Sequence, residues 1–442
     1  MVRGELFRLA DRLNTSFWFI PLLMSSLSIG FAWVTLALEE PVTSWMADHL
    51  QWRFSAEAEG VSAVLQVVAS SMITMAGVVF SMTLVALSLA SSQLGPRLLR
   101  NFMSDTPTQL VLGTFISTFL YCLVVLRAVR RSEELAFVPH LSVMVGVLLA
   151  VASVGVFIYF IHHVSVSIQA NEVAGRIGRE LIESADQLFP AGEGGEGPEP
   201  DAELLESMGR ESAPFYAQAD GYLQFVDVAA LIALARQEDL VFRLEVQPGR
   251  YVIAGTPLLR VWPPNRLTRA LVEPLQGCFV QGRQRTRAQD IEHGVEQLVE
   301  VALRALSPSL NDPFTAMTCI DHLGAALSRL AAGELPSPYR YDDQQRLRLI
   351  APADNFVAIA SAAFAPIRQH SGGSAAVNLH LLDTLAQIIG FTRRPQDRAV
   401  LMEQGQMIAH RAREGGFDAQ VSEQLQQRWE TLEAQCPNIA SA

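Results

Sequence analysis

Four stretches of the chain are each long and apolar enough to cross a bilayer, and they constrain the fold more than any other feature. They run over 16–38, 61–92, 109–126 and 138–161, and none holds an Asp, Glu or Arg in its core. A bilayer core takes about 20 apolar helical residues, whereas buried helices of water-soluble domains are usually shorter. Arg3, Arg8 and Arg12 precede the first run, as in a secretory leader. That run is too long for a leader and ends in no small-x-small cleavage site, so it reads as a retained anchor.

Arginines near the span ends set the orientation. With the N-terminus in the cytoplasm, the inner side receives Arg3, Arg8, Arg12, Arg97, Arg100, Arg176 and Arg179, and the outer side Arg53, Arg127, Arg130 and Arg131. The balance favours cytoplasmic N- and C-termini. The net charge of −12 lies almost wholly beyond residue 163, where 24 Arg face 35 acids. An acidic surface of this kind argues against nucleic acid as a partner.

All 33 basic residues are arginine. Lysine-dependent chemistry is therefore excluded in its usual form: Walker A loops, Schiff-base enzymes, protein kinases and biotinyl or lipoyl carriers. Cys122, Cys278, Cys319 and Cys436 lie far apart with no C-x-x-C and no histidine at ligand spacing, so neither a metal site nor a disulfide framework is expected.

After the fourth span Val164, Ile168, Val173, Ile177 and Leu181 recur at helical spacing, which predicts a helical stalk over 164–189 suited to oligomer contacts. The Gly-, Pro- and acid-rich stretch after Pro190 predicts a flexible linker over 190–212. Residues 213–265 carry short β-branched and aromatic runs, interrupted by the helix-like VAALIALARQED. Within them PGRYVIAGTPLLRV resembles the hammerhead of the biotinyl and lipoyl barrel family without its lysine, implying a structural barrel-like module. Residues 266–442 read as helical, with one strand near 346 and further helices near 354–368, 374–391, 396–413 and 418–435. Thr286 and Gln289 fit a capping box for the first helix, and Asp312-Pro313 opens the second.

The second span holds Ser70, Thr74, Gly77, Ser81, Ser88 and Ser92 on one helical face. One reading is a pore lining, with Val78 and Val85 as apolar gates that close by dewetting. The other is close helix packing, for which small and hydroxyl residues are equally favoured; the ridge of Gly113, Ser117 and Tyr121 in the third span fits that reading. The absence of charge inside the spans disfavours an ion-coupled carrier. His162 and His163, at the end of the fourth span, are candidate pH sensors or interfacial side chains. Arg283, Arg285 and Arg287 with His293, and Asn311 with Asp312, are candidates for binding an anion or a protein partner, against the plainer reading of salt bridges and a recapping turn. No catalytic constellation is legible, so the chain is not expected to be an enzyme and no cofactor is implied.

The strings SSMITMAGVVFSMTLVALSLASSQLGPRLLRNF, FVPHLSV, IYFIHHV and RTRAQDIEHGVEQLVEVALRALSPSLNDPFTA resemble the domain-of-unknown-function 2254 family of bacterial integral membrane proteins. The resemblance implies four spans (1–163) and a C-terminal cytoplasmic domain in a bacterial inner membrane. The expected fold is an α-helical multi-pass membrane protein with a C-terminal α+β region. The expected function is a homo-oligomeric passive channel for ions or small solutes, in contact with lipid and with itself. The alternative is a membrane-anchored scaffold or sensor whose cytoplasmic domain binds a ligand or protein partner without conduction.

Overall fold

A computed structural model describes residues 16–42, 58–95, 105–129, 138–188, 200, 202–334, 337–352, 355–414 and 416–435. The chain forms two compact units, Ala10–Gln169 and one within Ala170–Ala442.

The first unit contains four helices long and apolar enough to cross a membrane: α1 (Phe19–Ala37), α2 (Ala58–Leu94), α3 (Thr106–Ala128) and α4 (His140–Ser167). Helix α3 is the most buried of them and touches the other three. Its start is fixed by Asp105, whose carboxylate accepts from the Thr108 amide at 3.1 Å, with Pro107 in the first turn. Small residues let the backbones approach. A Cβ added to Gly113 would lie 3.3 Å from the Pro21 backbone, and the Ser28 hydroxyl donates to the Ser117 carbonyl at 2.6 Å. The small ridge of the third span thus packs inside the unit.

The second unit opens with α5 (Ala170–Leu188) and α6 (Ala202–Arg210). Two sheets follow, built from β1 (Ala213–Tyr216), β2 (Gly221–Val226), α7 (Val228–Gln237), β3 (Val241–Leu244), β4 (Tyr251–Val252), β5 (Pro257–Trp262), α8 (Arg269–Gly277) and β6 (Phe279–Gly282). Helices α9 (Ile291–Ala305) and α10 (Pro313–Ala332) come next, then β7 (Tyr339–Tyr341) and β8 (Leu347–Ile350). The chain closes with α11 (Phe356–His370), α12 (Ala375–Ile389), α13 (Pro395–Arg413) and α14 (Ala419–Ala434).

The five-stranded sheet has the order β1-β5-β3-β8-β7 and the three-stranded one β4-β2-β6. All pairs are antiparallel except β3 with β8, where Phe242 faces Leu349. Phe215, Phe242 and Leu259 of one sheet share a buried core with Leu223 and Phe279 of the other, closed by Leu231 of α7 and Leu275 of α8.

Four local expectations are corrected. Within the stretch expected to be linker, 202–210 is helical, and Leu204 and Met208 pack on Val241 and Leu347. The β module does not end at 265, because β6, β7 and β8 complete its sheets. The helix of the fourth span ends at Ser167, and α5 starts anew at Ala170. The stalk residues Val173, Ile177 and Leu181 are buried, with α5 packed on α9 and α10, so they are not free for oligomer contacts. Finally, α9 is capped by Asp290, which accepts from the His293 amide at 3.1 Å, and not by Thr286.

Candidate functional site

Helix α2 has two unlike faces. Val61, Leu65, Ala69, Met72, Ala76 and Val79 are buried and form its packed stripe. At 100° per residue, Ser70, Thr74, Gly77, Ser81, Ser88 and Ser92 lie about 150° around the helix from that stripe. All six are exposed. The structure therefore brings the predicted seam together as one outward strip and covers it with no other described part of the first unit. Val78 and Val85 stand beside it, 41% and 58% exposed.

Three hydroxyls of the strip are satisfied locally. Ser70 donates to the Val67 carbonyl (3.0 Å), Thr74 to the Ser70 carbonyl (2.8 Å) and Ser92 to the Leu89 carbonyl (2.9 Å). Each oxygen keeps acceptor capacity directed away from the helix. A Cβ at Gly77 would meet nothing within 4 Å, so a shallow notch interrupts the strip. At about 1.5 Å per residue the 37 residues of α2 reach about 55 Å, longer than the roughly 30 Å hydrocarbon layer.

Two carboxylates pin ends of α1, α3 and α4. Glu39, after α1, is 3% exposed and accepts from the Leu141 amide (2.7 Å), the Ser142 amide (3.2 Å) and the Ser142 hydroxyl (3.3 Å), capping α4 from a distant part of the chain. The buried Tyr121 hydroxyl donates to the Ser142 carbonyl at 2.9 Å and lies 3.0 Å from the Thr35 hydroxyl. At the other end His163 Nε2 meets Asp105 Oδ2 at 2.8 Å, and its ring stacks on Tyr159. The adjacent His162 is exposed.

The arginines of the second unit do not converge on an open anion site. Arg285 makes a two-pronged contact with Asp290 (2.7 and 2.9 Å) and reaches Glu296 at 2.8 Å. Arg287 is paired with Glu180 of α5, and Arg283 is exposed. Burial is the main force on His293 beside them, and it depresses the imidazole to about 4. Asn311 and Asp312 lie beyond the other end of α9, about 22 Å along the helix. Asp312 caps α10 through the Thr315 amide (3.1 Å) and hydroxyl (2.6 Å), and Asn311 is exposed with φ +46° between the exposed Leu310 and Phe314.

Glu39 and Asp105 were not singled out from sequence, and Tyr121 was read only as part of the packing ridge of the third span. Asp105 carried a usable signal, an acid directly before Thr-Pro-Thr at a span start. Glu39 carried none, because its partners lie a hundred residues away.

The model of a family of predicted membrane proteins, DUF2254, matches residues 14–387. An uncharacterized protein of Mycobacterium tuberculosis (strain H37Rv) is 33% identical over 408 residues, covering 91% of this chain and 77% of that protein. An uncharacterized protein of Mycobacterium bovis is related to the same degree, 33% over 408 residues with the same coverage. No solved structure matches. With four membrane-length helices and a family match that runs from the first of them into α12, the chain belongs to the DUF2254 family of predicted membrane proteins.

Proposed function

We propose that this membrane protein assembles with copies of itself so that the α2 strips surround a passive path for ions or small solutes. The outward hydroxyl strip opposite the packed stripe of α2 carries the reading. Inside one chain it has no covering helix among the described residues, and acyl chains gain nothing from a strip of hydroxyls. A water-filled axis or a neighbouring copy satisfies it better. Val78 and Val85 would then form the dewetting constriction. In this reading the protein sits in a bacterial cytoplasmic membrane with both termini inside and catalyses no reaction. The second unit acts in assembly or gating, with its strands a lysine-free barrel of the hammerhead kind.

The test is the oligomer and its permeability. A ring of three or more copies with Thr74, Ser81 and Ser88 on its axis, and reconstituted flux that Ser81→Leu reduces, supports the reading. A dimer with a packed axis, or wild-type vesicles without any flux, refutes it. The scaffold reading draws instead on Leu310 and Phe314, 45% and 74% exposed beside the Asn311 turn. It requires a partner whose binding Phe314→Ala abolishes while no flux is seen.

A further inference from the structure

The first unit contains a cavity of about 230 Å³ that the channel reading does not use. Its walls are Phe17 and Trp18 before α1, Phe80, Leu84 and Leu87 of α2, and Val164 of α4. Trp18, Phe80 and Leu84 are 72%, 44% and 50% exposed, so the mouth opens on the apolar surface of the spans. Asp105 and Thr108 of the α3 start line the cavity with Ser167 of the α4 end, at the level where spans leave the hydrocarbon.

The two oxygens of Asp105 are used unequally. Oδ2 accepts from the Thr108 amide (3.1 Å), accepts from the Thr108 hydroxyl (2.5 Å) and meets His163 Nε2 (2.8 Å). Oδ1 has no partner among the described residues. No arginine is among the described lining residues. The cavity thus joins an apolar chamber open to lipid with an acceptor lacking a donor, at the depth where headgroups lie. A carboxylate oxygen left open at the headgroup level is matched best by a cationic donor.

We propose that this cavity binds a phospholipid with a primary ammonium head, phosphatidylethanolamine. The ammonium donates to Asp105 Oδ1, and an acyl chain lies between Trp18, Phe80 and Leu84. Choline offers no N–H to Oδ1. The glycerol head of phosphatidylglycerol offers only neutral hydroxyls and brings an uncompensated phosphate toward the carboxylate.

The experiment reconstitutes the full chain in nanodiscs with equal amounts of phosphatidylethanolamine, phosphatidylglycerol and phosphatidylcholine bearing identical acyl chains. Lipid retained after transfer to detergent is counted by native mass spectrometry. Wild type should retain phosphatidylethanolamine about tenfold over either competitor, the factor expected for one charge-assisted hydrogen bond. Asp105→Asn should bring that ratio to about one while keeping the cap, since Asn caps as well as Asp. Leu84→Trp, which fills the mouth and leaves the carboxylate in place, should lose the bound lipid altogether. Equal retention of the three lipids by wild type, a preference for phosphatidylglycerol, or enrichment that survives both substitutions would overturn the proposal. So would binding of dodecylamine in phosphatidylcholine discs by a protein that shows no enrichment of phosphatidylethanolamine, because the ligand would then be a free amine.

Discussion

Replacing Gly249 by alanine should unfold the second unit far more readily than the same change at Gly255. Both glycines have φ +89°, so both substitutions place a Cβ in the left-handed region at a cost of about 1 kcal/mol. They differ in what the Cβ meets. At Gly255 nothing lies within 4 Å, whereas at Gly249 the methyl would come within 2.9 Å of Asp290 Oδ1 and closer still to Cγ and Oδ2. Asp290 cannot yield cheaply. It is 6% exposed, caps α9 and holds the guanidinium of Arg285 through two hydrogen bonds. Losing the cap costs about 1 kcal/mol, and loosening a part-buried ion pair costs about 1–3 kcal/mol more. The sum for Gly249→Ala is about 3–5 kcal/mol. For a unit of this size that lowers the melting temperature by about 6–20 °C, against about 2–4 °C for Gly255→Ala. Intrinsic fluorescence during heating of the full chain in detergent reads both. Equal shifts for the two variants would show that the turn does not bear on Asp290 and refute the reasoning.

Other consequences follow from buried ionisable groups. His293 titrates near 4 when folded and near its ordinary 6.5 when unfolded, so protons favour the unfolded chain as pH falls between those values. Stability of the second unit should fall by up to about 3 kcal/mol across that window, a slope His293→Gln should remove in a series of thermal melts. The Arg348 guanidinium beside Asp342 (2.8 Å) holds its carboxyl down at about 2. That contribution is complete above the ordinary carboxylate value and is lost as pH falls through about 2, so Asp342→Asn should flatten the acid limb of the same curve. In the first unit, Glu39→Gln leaves one acceptor oxygen for the Leu141 and Ser142 amides. It should cost about 1–2 kcal/mol, visible as faster amide exchange at the start of α4.

Much of the fold was legible because it is locally encoded. Uninterrupted apolar runs gave all four spans, Asp312-Pro313 placed the start of α10, and the helix read near 396–413 matches α13 within a residue. The misplaced cap shows where local pattern fails. Thr286 and Gln289 have capping-box spacing, yet Thr286 donates to the Gln224 carbonyl (3.2 Å). Gln289 receives the Val226 amide (2.8 Å) and donates to the Val226 carbonyl (3.0 Å). Those partners lie about sixty residues back, where no helical pattern reaches. The strand β7 is three residues long and is a strand only because β8 pairs with it. Of the candidate residues, the α2 strip was readable because a face repeats every turn. Asp105 with His163, and Glu39 with α4, are pairings between spans, and hydropathy is blind to them.

The claim that the α2 strip faces water in the assembled protein is tested most directly by thiol accessibility in the membrane. Cysteine is placed singly at Ser81, at Ser88 and at Val151, which is 66% exposed on α4, in a chain whose four native cysteines are replaced. The chains are reconstituted and exposed to a charged, membrane-impermeant thiol reagent. Thiolates form in water and not in hydrocarbon, so Ser81→Cys and Ser88→Cys should react on the order of tenfold or more faster than Val151→Cys. Reaction of all three at the same slow rate would place the strip against lipid or packed side chains and contradict the account.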